Sequence, residues 1–101
     1  GATPLLISVV SGKTDVVEFL LSVGADPLLQ AKDGYTLMHG AAFSGMKEMV
    51  KLALSFGLDV NPRYGSYGIT PVDVAEDDKE ALPYLRSLGG RASWELPPVI
   101  K

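Results

Sequence analysis

The chain contains no cysteine. This absence excludes disulfides, thiolate nucleophiles and every metal site that depends on a cysteine ligand. The chain also has no excess of basic residues, since nine lysines and arginines stand against twelve aspartates and glutamates, for a net charge of −3. Domains that grip nucleic acid usually present a basic face to the phosphates, so we expect no nucleic-acid partner.

Long hydrophobic runs are missing as well. No stretch approaches the roughly 20 apolar residues that a membrane-spanning helix needs, so we expect no membrane partner. The hydrophobic share of 47% and the charged share of 21% are those of an ordinary globular protein, and 101 residues make one domain. No secretory signal is visible, and we expect an intracellular, cytoplasmic protein.

A short sequence motif occurs three times with a period close to 33 residues. It begins at Thr3, Thr36 and Thr70, which are 33 and 34 residues apart. Glycines keep the same register, because Gly12 and Gly45 each follow a threonine by nine residues. A period of this length is typical of stacked supersecondary units. The sequence therefore predicts a repeat architecture, and binding is the function class that such architectures favour.

Local signals divide the first unit into two helices and a loop. Thr3 is a suitable cap for a helix over Pro4–Val10, and an apolar stripe after it predicts a second helix that stops at Gly24. Residues 25–35 lose the helical period and carry turn residues. They predict two short extended arms joined by a turn.

The second unit repeats this plan and the third is shorter. We expect an inner helix over 37–43, an outer helix over 47–56, and a hairpin over 58–69 that is one residue longer than the first. The third unit is shortened between its helices, as terminal repeats commonly are. Pro83 falls in the first turn of the last helix, so this helix can still run to about Leu88.

The repeated residues resemble the ankyrin-repeat family. The first unit matches the family's pattern with Thr3-Pro4-Leu5 and with Gly24-Ala25-Asp26, and the second matches it with Gly-Tyr-Thr-Leu-Met-His-Gly-Ala-Ala over residues 34–42. The resemblance implies an all-α fold, a solenoid of stacked helix-turn-helix units joined by β-hairpin-like loops. The implied divisions are repeats over 1–33 and 34–67, a capping repeat over 68–90, and a tail or linker over 91–101.

The chain departs from the family pattern at the signature histidine. Only the second unit has it, as His39, while Leu6 and Asp73 stand at the equivalent places. We therefore expect the hydrogen bonds that this histidine makes to neighbouring loops only at His39.

The first unit has no polar N-terminal cap. A repeat stack exposes apolar faces unless its ends are capped. We interpret the chain as a piece of a longer protein and expect upstream repeats, a neighbouring domain or another N-terminal partner to cover Leu5, Val9 and Val16.

Three motifs with possible chemistry are weak. Residues 11–14, Ser-Gly-Lys-Thr, end like a phosphate-binding loop, but Ile7 stands where that loop needs a glycine. His39 has no nucleophile or paired carboxylate placed near it by the sequence. The acidic run over 73–80 lacks the ligand spacing of a calcium loop, although it leaves open a basic docking partner. We expect no enzyme, no cofactor and no metal.

Sulfur-containing and aromatic residues outside these motifs favour packing roles. Met38 and Met49 fall on core positions, whereas Met46 lies beside a turn and is expected to be partly exposed. In the tail, we expect Trp94 to fold back over the last helix as a lid, the alternative being that it belongs to a neighbouring domain.

The longer hairpin is the best candidate for a binding surface. Its residues 63–68, Arg-Tyr-Gly-Ser-Tyr-Gly, are of the types that binding loops favour, and Tyr35 lies at the equivalent place on the preceding loop. The resemblance adds the hairpin tips and the inner-helix surface. The candidate binding residues are Lys32, Asp33, Tyr35, Phe43, Ser44, Arg63, Tyr64, Ser66 and Tyr67. The alternative is that the tyrosines simply pack between neighbouring hairpins.

These observations predict a non-catalytic module that binds a protein or peptide through its hairpin fingers and inner-helix face. The alternative function is a structural or regulatory domain that packs within a larger protein, which could itself be an enzyme.

Overall fold

A computed structural model describes residues 3–98 of the chain. The ends of the expected first repeat and of the expected tail, residues 1–2 and 99–101, lie outside this part. The described residues form six α-helices and no β-strand. The helices are α1 (Pro4–Val10), α2 (Thr14–Ser22), α3 (Leu37–Ser44), α4 (Lys47–Ser55), α5 (Pro71–Val74) and α6 (Ala81–Ser87).

The helices pack as three pairs, α1 with α2, α3 with α4 and α5 with α6. The inner helix α3 lies between α1 and α5, and the outer helix α4 contacts α6. The predicted all-α stack of helix-turn-helix units is therefore confirmed.

The repeated threonine begins each inner helix. The Thr3 hydroxyl accepts a hydrogen bond from the amide of Leu6 at 3.1 Å, and Thr36 and Thr70 accept equivalent bonds at 3.4 Å. Such caps satisfy amides that have no partner inside the helix. The cap that the sequence predicted at Thr3 is confirmed.

Gly45 joins α3 to α4 and lets the third unit approach closely. Its φ of +75° is left-handed, a conformation that a residue without a β-carbon adopts most readily. A β-carbon there would lie 2.6 Å from the side chain of Lys79. The Gly45 carbonyl accepts a hydrogen bond from the amide of Ala81 at 3.2 Å, so the turn also positions α6.

The core lies within each helix pair and between neighbouring pairs. Met38, Met49 and Leu85 are buried in it, and Met46 is partly exposed, as predicted for the methionines. A β-carbon on Gly40 would lie 3.0 Å from Leu6 Cδ1, which shows how closely α3 packs against α1.

The open N-terminal end differs from the expectation. Leu5 and Val9 are buried, at 2% and 1% exposure, so the prediction that they need an outside cover is wrong. Val9 instead faces α3, where its Cγ1 lies 3.5 Å from the β-carbon position of Gly40. Val16 is exposed as expected. We call the exposed apolar side chains on and next to α2 the N-terminal face; they are Val16, Phe19 and Val23.

The tail returns to the third unit, but Trp94 does not cover the last helix. Its side chain is 79% exposed, so the predicted lid is wrong. A turn of 3₁₀ helix at Ser93–Glu95 places the carboxylate of Glu95 against the amide of Ala92 at 2.7 Å and against Arg86. These bonds hold the main chain of the tail, with the buried Ala92, against the third unit. The side chain of Trp94 remains in solvent.

Candidate functional site

Two loops project from the helices. We call residues 23–36 finger 1 and residues 56–70 finger 2. Each finger is closed by a short backbone pairing, between Ala31 and Tyr35 at 2.8 Å in finger 1, and between Tyr64 and Ile69 at 2.8 and 2.9 Å in finger 2.

The fingers are also bonded to each other. The amide of Gly65 in finger 2 donates to the carbonyl of Asp33 in finger 1 at 2.9 Å. Asp33 has a φ of 64°, in the left-handed region that aspartate tolerates better than most residues. In this conformation the Asp33 carbonyl accepts the hydrogen bond from finger 2.

Three rings pack where the fingers meet α3, and we call them the ring cluster: Tyr35, His39 and Tyr64. Tyr35 stacks on His39 at 5.1 Å between ring centroids, and Tyr64 meets both rings edge-on at 4.8 Å. Burial, with a smaller contribution from the charge of Tyr64, raises the pKa of Tyr35 to about 12. Two of the three candidate tyrosines therefore pack between neighbouring loops, the alternative that the sequence left open.

Two hydrogen bonds determine which ring nitrogen of His39 carries the hydrogen. Its Nδ1 accepts a bond from the amide of Thr36 at 3.1 Å, and its Nε2 lies 2.8 Å from the carbonyl oxygen of Ile69. Because a carbonyl oxygen only accepts, Nε2 carries a hydrogen. Because Nδ1 accepts, it carries none, and the ring is neutral. Burial lowers the pKa of His39, and this outweighs the opposing hydrogen bonds and the charge of Asp73. The predicted bond from His39 to a neighbouring loop is confirmed.

Asp73 also forms a hydrogen bond to a segment that follows its own repeat, which the sequence did not predict. Its carboxylate accepts from the amide of Thr70 at 2.9 Å and from the amide of Ser93 at 3.0 and 3.1 Å. Burial alone would raise the pKa of Asp73, but its hydrogen bonds with Thr70 and Ser93 outweigh burial and lower it. The expectation that only His39 binds a following segment is therefore wrong, because the tail passes within reach of the shorter carboxylate.

The side chain of Arg63 makes hydrogen bonds within the chain. Its guanidinium donates to the carbonyls of Gly68 at 3.1 Å, Ser93 at 3.3 Å and Pro97 at 2.6 Å. One side chain thus links finger 2 to the tail.

The nine candidate binding residues fall into two groups. Ser44 is held by bonds with Ala41 and Met46, and it joins Arg63 and the two tyrosines of the ring cluster as a residue with intramolecular partners. Tyr67 is 83% exposed at the tip of finger 2, and Phe43 is 49% exposed on the inner-helix face. The exposed candidates are Lys32, Asp33, Phe43, Ser66 and Tyr67.

The comparisons with known proteins agree with this architecture. A family model for ankyrin repeats, in three copies, matches residues 5–92. The chain belongs to the ankyrin-repeat family. Ankyrin repeats generally mediate protein–protein interactions and are typically non-catalytic.

Relatives with similar ankyrin repeats are much longer than this chain. Alpha-latrocrustotoxin-Lt1a of Latrodectus tredecimguttatus is 35% identical over 90% of the chain, which spans 6% of that protein. Ankyrin repeat and SAM domain-containing protein 6 of Rattus norvegicus is 34% identical over 96% of the chain, and protein phosphatase 1 regulatory subunit 12A of Mus musculus is 32% identical over 87%. The chain spans 12% and 8% of their lengths.

The weaker motifs have ordinary places in the ankyrin fold. Residues 11–14 form the turn between α1 and α2 and the start of α2. The acidic side chains over 76–80 are exposed, and Glu80 accepts a bond from the amide of Lys47 at 3.0 Å. Within residues 3–98 no group of histidines and carboxylates suits a metal ion. In the same part of the chain, none of the helices has both the length and the apolar character to cross a membrane.

A groove beside finger 1 was missed by the sequence reasoning. It encloses about 340 Å³ between α1 and the finger. Its lining residues are Leu6, Ile7, Val10, Ser11, Ala31 and Tyr35. A comparison of equivalent repeat positions contains a signal for it, since Leu6 and Ala31 stand where the second repeat has His39 and Tyr64.

Proposed function

We propose that this ankyrin domain binds a protein or peptide through the tips of its fingers and its inner-helix face, without catalysis. The observation that carries the proposal is the exposure of Tyr67, an aromatic side chain left in water on a bonded loop. A tyrosine offers a large amphipathic contact area at a low cost in side-chain entropy, which favours it in binding loops.

The bonds around Tyr67 support this role. The pairing of Tyr64 with Ile69 and the bond from Gly65 to Asp33 hold finger 2 before any partner arrives. A loop that is already ordered loses less entropy on binding.

The exposed side chains of the fingers and of the inner-helix face are of the types that interfaces use. Phe43 supplies a second exposed aromatic side chain on the inner-helix face, and Lys32, Asp33 and Ser66 supply polar groups at the finger tips. Interfaces commonly combine aromatic anchors with a polar rim. The arrangement favours a protein surface or a peptide as the partner.

A second function has an observation of its own. The N-terminal face exposes Phe19 and Val23, each at 63%, on one side of α2. Contiguous exposed apolar residues favour a contact with another part of a protein. One relative is by name a regulatory subunit, and the chain spans a small share of its relatives' lengths. This favours a structural or regulatory domain that packs within a longer protein.

Two matched double variants separate these functions. Phe43→Ser with Tyr67→Ser changes the finger and inner-helix surface, and Phe19→Ser with Val23→Ser changes the N-terminal face. All four side chains are exposed, so both variants should unfold within a few degrees of the parent. Proteins captured from a lysate by the parent are identified, purified and titrated against each variant by calorimetry.

The outcomes point in different directions. Binding that falls at least tenfold only in the finger variant supports the proposal. A loss only in the N-terminal variant transfers the function to the second candidate. Equal affinities of all three proteins for every captured partner overturn both.

A further inference from the structure

The groove beside finger 1 has an equivalent place in the second repeat, and there it is filled. The backbone pairing of Ala31 with Tyr35 corresponds to that of Tyr64 with Ile69. Ala31 and Tyr64 thus hold the same position in their fingers. The phenol ring of Tyr64 lies against His39, whereas Ala31 ends at its β-carbon beside Leu6.

The groove is therefore the vacant counterpart of a site that the chain itself occupies with an aromatic ring. Its lining is apolar apart from the hydroxyls of Ser11 and Tyr35. Ile7 is 56% exposed along it, so apolar surface stays in contact with water. A ring that entered would bury this surface, which is favourable.

We propose that this groove binds an aromatic side chain of a partner peptide, in the place that the ring of Tyr64 takes in the second repeat. The inference rests on the proposed function and names the anchor that the partner would supply. The contact of Tyr64 with His39 shows that a phenol ring fits at this position of an ankyrin repeat.

The test uses p-cresol, which is the tyrosine side chain without its backbone, and follows the amide NMR signals of the chain. We expect saturable shifts at Ile7, Ser11, Ala31 and Tyr35. In the Ala31→Tyr variant the new phenol occupies the groove, so the apparent affinity for p-cresol should fall at least tenfold. Ala31 has φ −77° and ψ −179°, an extended conformation that tyrosine adopts without strain.

Ala31→Ser is the matched control and should bind p-cresol like the parent. Ile7→Ser provides a check that does not depend on fitting a larger side chain, and it should weaken binding several-fold. Equal shifts in the parent and in Ala31→Tyr, or shifts centred on Phe19, would overturn the proposal.

The groove and the proposed function fail in different ways. If a captured partner is lost by Phe43→Ser with Tyr67→Ser but binds Ala31→Tyr as tightly as the parent, the proposed function stands and the groove proposal is overturned. If p-cresol binds the groove while the finger variant keeps every partner, the finger surface is overturned and the groove remains.

Discussion

The carboxylate of Asp73 binds the amide of Ser93 at 3.0 and 3.1 Å, twenty residues further along the chain. His39, at the same position of the preceding repeat, binds the carbonyl of Ile69 at 2.8 Å. The histidine donates its hydrogen, while the aspartate accepts one. Despite this reversal, both side chains tie their own repeat to the segment that follows it, a finger in one case and the tail in the other.

Replacing Asp73 should loosen the tail. Asp73→Ala removes a helix-capping interaction and the bond to Ser93, so the free energy of unfolding should fall by about 1–2 kcal/mol. The amide of Ser93 should then exchange with deuterium at least tenfold faster. Asp77→Ala, which changes an exposed acid of the same run, is the control. Unchanged exchange at Ser93 would show that Asp73 does not hold the tail.

Acidification should destabilise the domain through His39. The pKa of His39 is lowered from 6.5 in the folded state, so the unfolded chain binds more protons between the folded pKa and 6.5. The contribution of neutral His39 is thus complete above pH 6.5 and is lost as the pH falls through that window, by up to about 1.4 kcal/mol per pH unit.

Denaturant titrations of the parent and of His39→Gln at several pH values between 7 and 5 measure this effect. The free energy of unfolding of the parent should fall with pH in this range, and that of the variant should change less. Parallel pH profiles would contradict the assignment to His39.

Asp73 should add a second loss of stability at lower pH. Its pKa is lowered from 3.8 in the folded state, so its contribution is complete above pH 3.8 and is lost as the pH falls through the folded pKa. Asp73→Asn should flatten the pH profile below 3.8. Because the charge of Asp73 raises the pKa of His39, the variant should keep the loss of stability that begins at pH 6.5 and extend it to lower pH. Acid titrations followed by circular dichroism measure this, and a variant profile identical to that of the parent below pH 3.8 would be the contrary result.

Gly90 should tolerate no side chain. A β-carbon there would lie 2.7 Å from the carbonyl oxygen of Leu85 and 2.9 Å from Val72 Cγ2, and a backbone carbonyl has little freedom to move. Gly90→Ala should cost about 3 kcal/mol, from overpacking. Gly89→Ala, at a left-handed residue with open space around it, should cost about 1 kcal/mol. Thermal unfolding of the two variants compares them, and equal losses would disprove the steric account.

Arg63 should control how far the tail detaches. Arg63→Lys keeps the charge but cannot reproduce the three donor directions of the guanidinium, because an ammonium group has a different geometry. We expect limited proteolysis within residues 91–98 to become several-fold faster. Arg91→Lys is the matched control, since among the described hydrogen bonds the Arg91 side chain donates only to the carbonyl of its neighbour Gly90. Equal cleavage rates in both variants would refute the link.

The repeat pattern predicted the helices well because it encodes them locally. The cap at Thr3 and the predicted span Pro4–Val10 depend on residues a few positions apart, and the structure has both as expected. Segments that do not repeat were predicted poorly. Nothing in the composition of the tail indicates that Ser93 passes close to Asp73, or that Trp94 turns outward.

The candidate site shows the same division. The sequence correctly placed Phe43 and Tyr67 on exposed positions of the inner helix and finger tip, but residue type alone did not separate Tyr67 from Tyr64. That separation depends on His39, whose ring forms a platform for Tyr64 from 25 residues away in the chain. Contacts of this kind follow from the stacking of repeats and are absent from any local pattern.

The bond from Gly65 to Asp33 means that the two fingers are not independent loops. The rings of Tyr35 and Tyr64 add a second contact between them, on the ring of His39. A partner that displaces finger 2 therefore has to break or carry along its contacts with finger 1, so the two repeats present one shared surface.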